Sequence, residues 1–524
     1  MDTYQELNAG EFWERLKTSD LVSGIKCLED VLPIWGHINF KTKQLTKCQF
    51  KKLVLSNINF DDLTIHDCSI DSLEIKKGCR FEKPLFIKKS KIGTVTIGAF
   101  HAKVIVIDEQ SQIDTFTSDG TDCPRIIIND CKLTSLTIVS RISLKLDLSS
   151  CSIAKEMVLD GTMTELTAHQ IQCENVTLKN FRRVNRFIES KCSLIKWESS
   201  RSENLIFNDC QIEKFEFIDS QLNEIQLNGG NYEELHFEKS SIQNLRNISP
   251  VQETVVKSLV MDDHIFAIDL YYLKIDDLQL RRKNLNGGFQ LTNAKISNSF
   301  TITDSRLKDA KFNNIDLYGA RMEFVDSSIT SSQFVNIRWP KGHLLVEPKK
   351  VSDVQEELKA LYSLRESYRQ LKVVCNREMN YFEELIFKKH ELRVYWKIIN
   401  IRTWAISWSS ALENIDDWLV LWTNKVFSNF GMSVFKPLGW LVLINFLLFN
   451  RIIYLYDFGI TPSVENHNWN AFWHGIGLFV NLLNPVHPFV IENVNILGFT
   501  DITMRVVSGY LLYYFLKASR KFSG

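Results

Sequence analysis

The chain has 524 residues, 62 Lys+Arg against 62 Asp+Glu, and a 45% hydrophobic share. That length calls for more than one domain, because single cores stop growing well before it. Zero formal charge speaks against a dominant nucleic-acid surface, 34 Phe and 12 Trp against disorder, and eleven Cys without CxxC or Cys/His pairing against a zinc site or a complete disulfide framework.

Residues 1–40 read as a short mixed cap. Glu11–Lys17 is predicted to be helical, with Phe12, Trp13 and Leu16 on one side by their 3-and-4 spacing. The acidic N-terminus has no basic-then-apolar run, so no cleavable secretory signal is expected.

From 41 to 340 a different rule holds. Apolar residues come in pairs two apart, and the pairs recur every five residues: Leu205/Phe207, Cys210/Ile212, Phe215/Phe217, Ser220/Leu222, Ile225/Leu227. A spacing of two puts both members on one side of an extended segment. Repeating it every five residues requires a corner after each short segment. The simplest object is a coil with four five-residue sides, each inward pair stacking on the next coil. At ~20 residues per coil and ~4.8 Å per layer this makes on the order of 15 coils. The register slips near Phe81–Ile87 and blurs at about 100–200 and 246–268, where a three-sided β-helix is the alternative cross-section.

This pattern resembles the pentapeptide-repeat family, whose motif places a small residue two before a central Leu or Phe. Ile315-Asp316-Leu317 shows the centre, and the small position is often Cys: Cys48, Cys68, Cys79, Cys131, Cys151, Cys192 and Cys210. Those thiols are expected to be packing residues, and a stack of free thiols implies a reducing, cytosolic compartment. Some pentapeptide-repeat proteins are acidic rods that mimic DNA. Between 41 and 340 this chain has 39 Lys+Arg and 39 Asp+Glu, a poor substitute for a phosphate backbone.

Between 341 and 400 the period becomes helical. Val354, Leu358, Leu361, Leu364, Tyr368 and Leu371 form one stripe; Met379, Phe382, Ile386 and Phe387 form another, with a turn predicted near Cys375–Arg377. Tyr368, Leu371, Lys372, Glu384 and Glu391 give this linker a resemblance to a helical segment that follows pentapeptide repeats in membrane-linked bacterial proteins.

Eight of the twelve Trp lie between 396 and 473. Trp404/Trp408 and Trp418/Trp422 are each four apart, so residues 401–430 are predicted to form an interfacial helix anchored by these four rings. In 431–524, Pro437–Tyr456 is mostly apolar and about the length of a span, blemished by Asn450 and Arg451. Met504–Leu516, extended to Ser519, is a second candidate. The alternative is that both are buried helices of a soluble domain. From Ile452 to Met504 there is no Lys or Arg, whereas Lys425, Lys436, Lys517, Arg520 and Lys521 flank the gap, which predicts both chain ends on the cytoplasmic side.

Asn470–Asn484, followed by Pro485, fits a re-entrant helix. Two spans around such a helix resemble the two-transmembrane potassium-channel pore, a resemblance carried by Asn429-Phe430-Gly431, Ala471-Phe472-Trp473 and Gly509-Tyr510. The family's Gly-rich filter is replaced by Asn481-Leu482-Leu483-Asn484-Pro485, so potassium selectivity is not expected. Asn481, Asn484 and His487 are the candidate pore lining, with helix-ending and headgroup-facing roles as the alternative.

No P-loop, GxGxxG, HExxH, GxSxG or EF-hand loop is present, and His66, His101, His169 and His236 are too dispersed to be read as ligands. The expectation is therefore a non-enzymatic, mainly β protein: a right-handed quadrilateral β-helix, then a helical hairpin and a two-helix transmembrane domain. It would lie in a bacterial inner membrane with solenoid and termini cytoplasmic. Its expected partners are the lipid bilayer, further copies of itself (four around a pore) and a cytosolic protein, with no nucleic acid, cofactor or metal. The function read from this is a solenoid that senses or docks, coupled to an oligomeric, poorly selective pore. A non-conducting membrane-tethered scaffold, or a membrane-permeabilising stress or phage-defence effector, are the alternatives.

Overall fold

The computed structural model describes residues 4–32, 38–120, 123–181, 185–247, 254–262, 268–281, 284–285, 289–348, 353–403, 408–456, 469–486 and 496–519. They fall into two compact units, Met1–Gly342 and His343–Gly524.

The first unit is a β-solenoid of about fifteen turns built from one continuous parallel sheet of 31 strands. Its start is sealed by α1 (Ala9–Thr18). Asn8 caps the helix through a reciprocal pair, accepting from the Glu11 N–H at 2.8 Å while Glu11 accepts from the Asn8 N–H at 3.0 Å. The predicted face is buried: Phe12, Trp13 and Leu16 pack inward, and Phe12 meets Phe50 edge-on at 5.1 Å. A helix laid here covers the open edge that a stack of strands would otherwise expose. The rungs begin earlier than the repeat pattern shows. Leu21–Ser23 and Ile25–Val31 already pair in parallel with Ile38–Thr46 and Gln49–Leu55. This part of the rod leaves Leu21 and Leu28 exposed, so the pair rule is blurred there.

The regular part shows the logic best. Strands Lys191–Glu198, Arg201–Asn208, Gln211–Ile218, Gln221–Asn228 and Asn231–Glu238 follow one another, and Lys191 lies opposite Gln211 while Arg201 lies opposite Gln221. In the last four of these strands the second, fifth and seventh residues are buried. The buried pairs are those the sequence pattern names. Equivalent residues stack between coils: Phe187 on Phe207 at 5.2 Å, Phe217 on Phe237 at 4.6 Å, Phe312 on Phe334 at 4.5 Å. Burying one such ring contributes about 1.5–3 kcal/mol, so the column is a large part of what holds the coils together.

Corners are specified by a feature the apolar pattern does not carry. One residue in ten adopts a left-handed backbone: Glu189 (φ 48), Ser199 (φ 47), Asp209 (φ 52), Asp219 (φ 49), Gly229 (φ 74) and Lys239 (φ 48). The next residue is small and points inward. Ser220 shows why: its hydroxyl donates to the Ile218 carbonyl at 2.9 Å, and its oxygen accepts the Ser200 N–H at 3.4 Å. Ser240 repeats this one coil on, accepting from the Ser220 N–H at 3.2 Å. Cysteine does the same job elsewhere, with Cys68 Sγ accepting from the Cys48 N–H at 3.4 Å. At Gly230 the coils approach so closely that a Cβ would lie 2.2 Å from the Cys210 carbonyl oxygen.

The blurred stretch between 100 and 200 contains β-bulges. Lys132–Ser149 and Ser152–His169 remain paired in parallel, with register shifts between Leu133 and Ser135 and between Ser140 and Lys145. The strand ladder is continuous there although the spacing rule is not.

All eleven cysteines are buried and free. Burial pushes the Cys27 and Cys210 thiols up to about 11 and Cys173 up to about 12.

The second unit is helical. The linker hairpin is α2 (Val354–Arg377) and α3 (Tyr381–Ile401), turning at Glu378–Asn380, one turn after the expected place, with the Asn380 side chain capping α3. Then come α4 (Trp408–Ser428), α5 (Phe435–Tyr456), α6 (Trp469–Leu483) and α7 (Ile496–Ser519).

Two outcomes test the corner chemistry. Ser220→Ala removes the hydroxyl's hydrogen bonds and lowers stability by about 1–2 kcal/mol in urea unfolding followed by circular dichroism, whereas Ser220→Cys retains most of it. The thiols set an alkaline limit. The folded values of Cys27, Cys173 and Cys210 lie above the unfolded thiol range, so folding favours their protonated form. That contribution is complete below pH ~8.5 and is lost as pH rises toward 11–12. Urea midpoints should fall between pH 9 and 11; a flat profile would contradict the assignment.

Candidate functional site: the C-terminal helices

The linker hairpin brings its motif residues together. The Tyr368 ring stacks on His390 at 5.3 Å and its hydroxyl accepts the Leu345 N–H at 2.8 Å. Lys372 Nζ pairs with Glu391 at 2.6 Å, and His343 pairs with Glu383. Burial pushes the Tyr368 phenol up to about 12. These contacts lock α2 to α3.

α3 packs against α4 through Trp rings. Trp418 lies on Trp396 at 5.6 Å, its indole N–H donates to Asn400 at 2.9 Å, and Lys425 sits over the Trp396 ring at 4.9 Å. Trp422 stacks on Trp418 and stays 38% exposed. Of the four predicted anchors, Trp418 is thus half-buried between helices and Trp422 is outward. Trp408 opens α4, and Trp404 lies outside the described residues.

α5, α6 and α7 pack together with buried polar side chains in the interior and many large apolar side chains on the outside. Asn445 and Ser508 are fully buried, and the Ser508 hydroxyl donates to Asn445 Oδ1 at 3.2 Å. Asp501, 1% exposed, accepts from Arg505 Nε at 3.1 Å, one turn away on α7. Phe449, Leu482 and Met504 complete the interior. Outside, Phe435, Phe446, Leu447, Trp473, Val480, Phe499, Val506 and Tyr513 are exposed, Phe435 by 83% and Val506 by 67%. Water-facing helices show the reverse arrangement, and contiguous apolar surface on this scale marks a face that something covers.

Asn481 and Asn484 sit at the end of α6 and are exposed. The Asn484 side chain accepts the Val486 N–H at 3.1 Å, so its oxygen is engaged in the turn at Pro485. His487 lies outside the described residues. Pro485 packs on Gly509, where a Cβ would meet it at 3.9 Å. Sequence reasoning missed Asn445, Ser508 and Asp501. The signal was there: Asn445 inside an apolar run, and Asp501, Arg505 and Ser508 spaced four and three apart on one helix face.

Among the described residues no helix is long and apolar enough to cross a membrane. α6 has only 15 residues, and α7 is diluted by Thr500, Asp501, Arg505 and Ser508. Among the described residues no group of His, Cys, Asp or Glu could hold a metal ion. No family model, no curated protein and no solved structure matches the chain.

The seam makes a measurable prediction. Ser508→Ala and Asn445→Ala each lower thermal stability in detergent, and the double variant loses less than their sum, with a coupling of roughly 0.6–1.7 kcal/mol. Strict additivity would mean the pair does not bond in solution.

Proposed function

We propose that this is a bacterial inner-membrane protein of the pentapeptide-repeat kind. A cytosolic, right-handed four-sided solenoid docks a partner or signal, and the C-terminal helices form an oligomeric, poorly selective ion pore. The observation that carries the membrane reading is the inverted polarity of α5–α7, with Asn445, Ser508 and Asp501 inside and Phe446, Val480 and Val506 outside. Lipid is the solvent in which that arrangement is favourable, because intramembrane polar groups face the bundle interior. The order α5, short α6, α7 supports the two-span plan with a re-entrant helix. The inward pairs every five residues support the four-sided coil. The buried, free thiols fit a reducing compartment.

A second reading is a non-conducting tether. It is favoured by the absence, among the described residues, of a helix long and apolar enough to span, and by the engagement of Asn484 in its own turn.

Liposome flux and detergent mass separate the two. The pore reading expects a tetramer in detergent and release of entrapped monovalent ions from liposomes holding the full-length protein, altered by Asn481→Leu. A monomer with tight vesicles establishes the tether instead. Complete extraction of the protein from membranes by carbonate washing overturns both.

A further inference from the structure

Six cations of the helical unit with no ion-pair partner among the described residues gather at one end, and the packing shows it where the linear sequence does not. α5 and α7 run antiparallel: Asn445 meets Ser508, and Phe449 packs with Met504. Lys436 lies nine residues before Asn445 and Lys517 nine residues after Ser508. At 1.5 Å per residue both stand about 13.5 Å from that contact, toward the same end. α4 joins them there, since Phe427 meets Trp440 at 5.8 Å and Tyr510 at 6.1 Å, which puts Lys425 within a turn of that level.

α3 runs antiparallel to α4. Asn400 bonds Trp418, while Trp396 lies against Leu421 and under Lys425. Following α3 backwards from Trp396 therefore leads toward the α4 C-terminus, and the residues met there are Arg393, Lys389 and Lys388. Arg393, Lys388, Lys425, Lys436 and Lys517 are exposed and Lys389 is half-buried. No carboxylate among the described residues forms an ion pair with any of the six. The nearest acid on α3, Glu391, is paired with Lys372, and Glu383 and Glu384 are engaged by His343 and Asn376. The opposite end is different: Arg505 is matched by Asp501, and Arg451 has no ion pair among the described residues.

We propose that Lys388, Lys389, Arg393, Lys425, Lys436 and Lys517 form a belt that binds the phosphate headgroups of anionic phospholipids. This rests on the bilayer reading of α5–α7 and fixes which end of the bundle faces the anionic leaflet. The exposed apolar faces of α5 and α7 begin directly beside the belt, at Phe435 and Leu516, as an interfacial docking site requires. The ammonium of Lys517 lies over the Tyr513 ring at 5.7 Å, leaving its stem along apolar surface and its head free to reach a phosphate.

The test is flotation of the purified full-length protein, freed of detergent, with vesicles of pure phosphatidylcholine and with vesicles one-third phosphatidylglycerol. The belt expects binding to both, stronger to the anionic vesicles and reduced to the neutral level by high salt. Lys388→Gln/Lys389→Gln/Arg393→Gln, away from the bilayer helices and checked for helicity, should cut the anionic preference roughly a hundredfold. Lys436→Gln/Lys517→Gln should also reduce it, and Arg451→Gln at the far end should not. Equal binding to the two vesicle types, or an Arg451→Gln effect as large as that of Lys436→Gln/Lys517→Gln, overturns the belt. No flotation with either vesicle overturns the bilayer reading beneath it.

Discussion

A solenoid coil must turn corners in its own interior, and each corner threatens to bury a backbone N–H that no strand can reach. That constraint organises the first unit. At several corners the rod answers it with a residue that is small enough to fit, donates back to its own chain and accepts from the coil before. Ser200, Ser220 and Ser240 form such a ladder, as do Cys48 and Cys68. Once the corners are satisfied, the flat sides are free to be filled by Leu, Ile and Phe, whose rings stack at the strand spacing. The odd cysteine count, uninformative as redox chemistry, follows from this geometry.

The second unit solves the opposite problem. Its interior holds an amide–hydroxyl contact and a carboxylate–guanidinium pair, while Phe and Val point outward. In water that would cost apolar exposure with no return. Against hydrocarbon it matches each group to its surroundings. In both units most buried polar groups find partners, Trp197 Nε1 and Tyr232 OH of the rod being exceptions, and on the bilayer reading the two units differ in what lies outside.

Much of this was legible in the chain. The pairs Leu205/Phe207 and Phe215/Phe217 are spaced as a coil demands, and Phe12, Trp13 and Leu16 are spaced as a capping helix demands. The first rungs, near residue 21, were not, because the rod's first coils bury less and tolerate Leu28 in solvent. The corner ladder was read only as packing, since a Ser or Cys at a fixed interval does not announce what its oxygen or sulfur accepts. In the helical unit the Trp cluster was visible, but which face each ring takes depends on the helix it meets: Trp418 turns to Trp396 and Asn400. Asn445 and Ser508 are 63 residues apart, and only tertiary packing brings them together.

The ladder of each coil joins it to the coils on either side, Lys191–Glu198 pairing with Gln211–Ile218 and Arg201–Asn208 with Gln221–Asn228, so two successive strands advance the rod by one layer. A tensile load on the last strand would therefore be borne by one coil's ladder at a time, and the rod would unzip in steps, each releasing about 70 Å of chain. Such a rod is a graded extensible spring, with a fixed quantum of length set by its twenty-residue repeat.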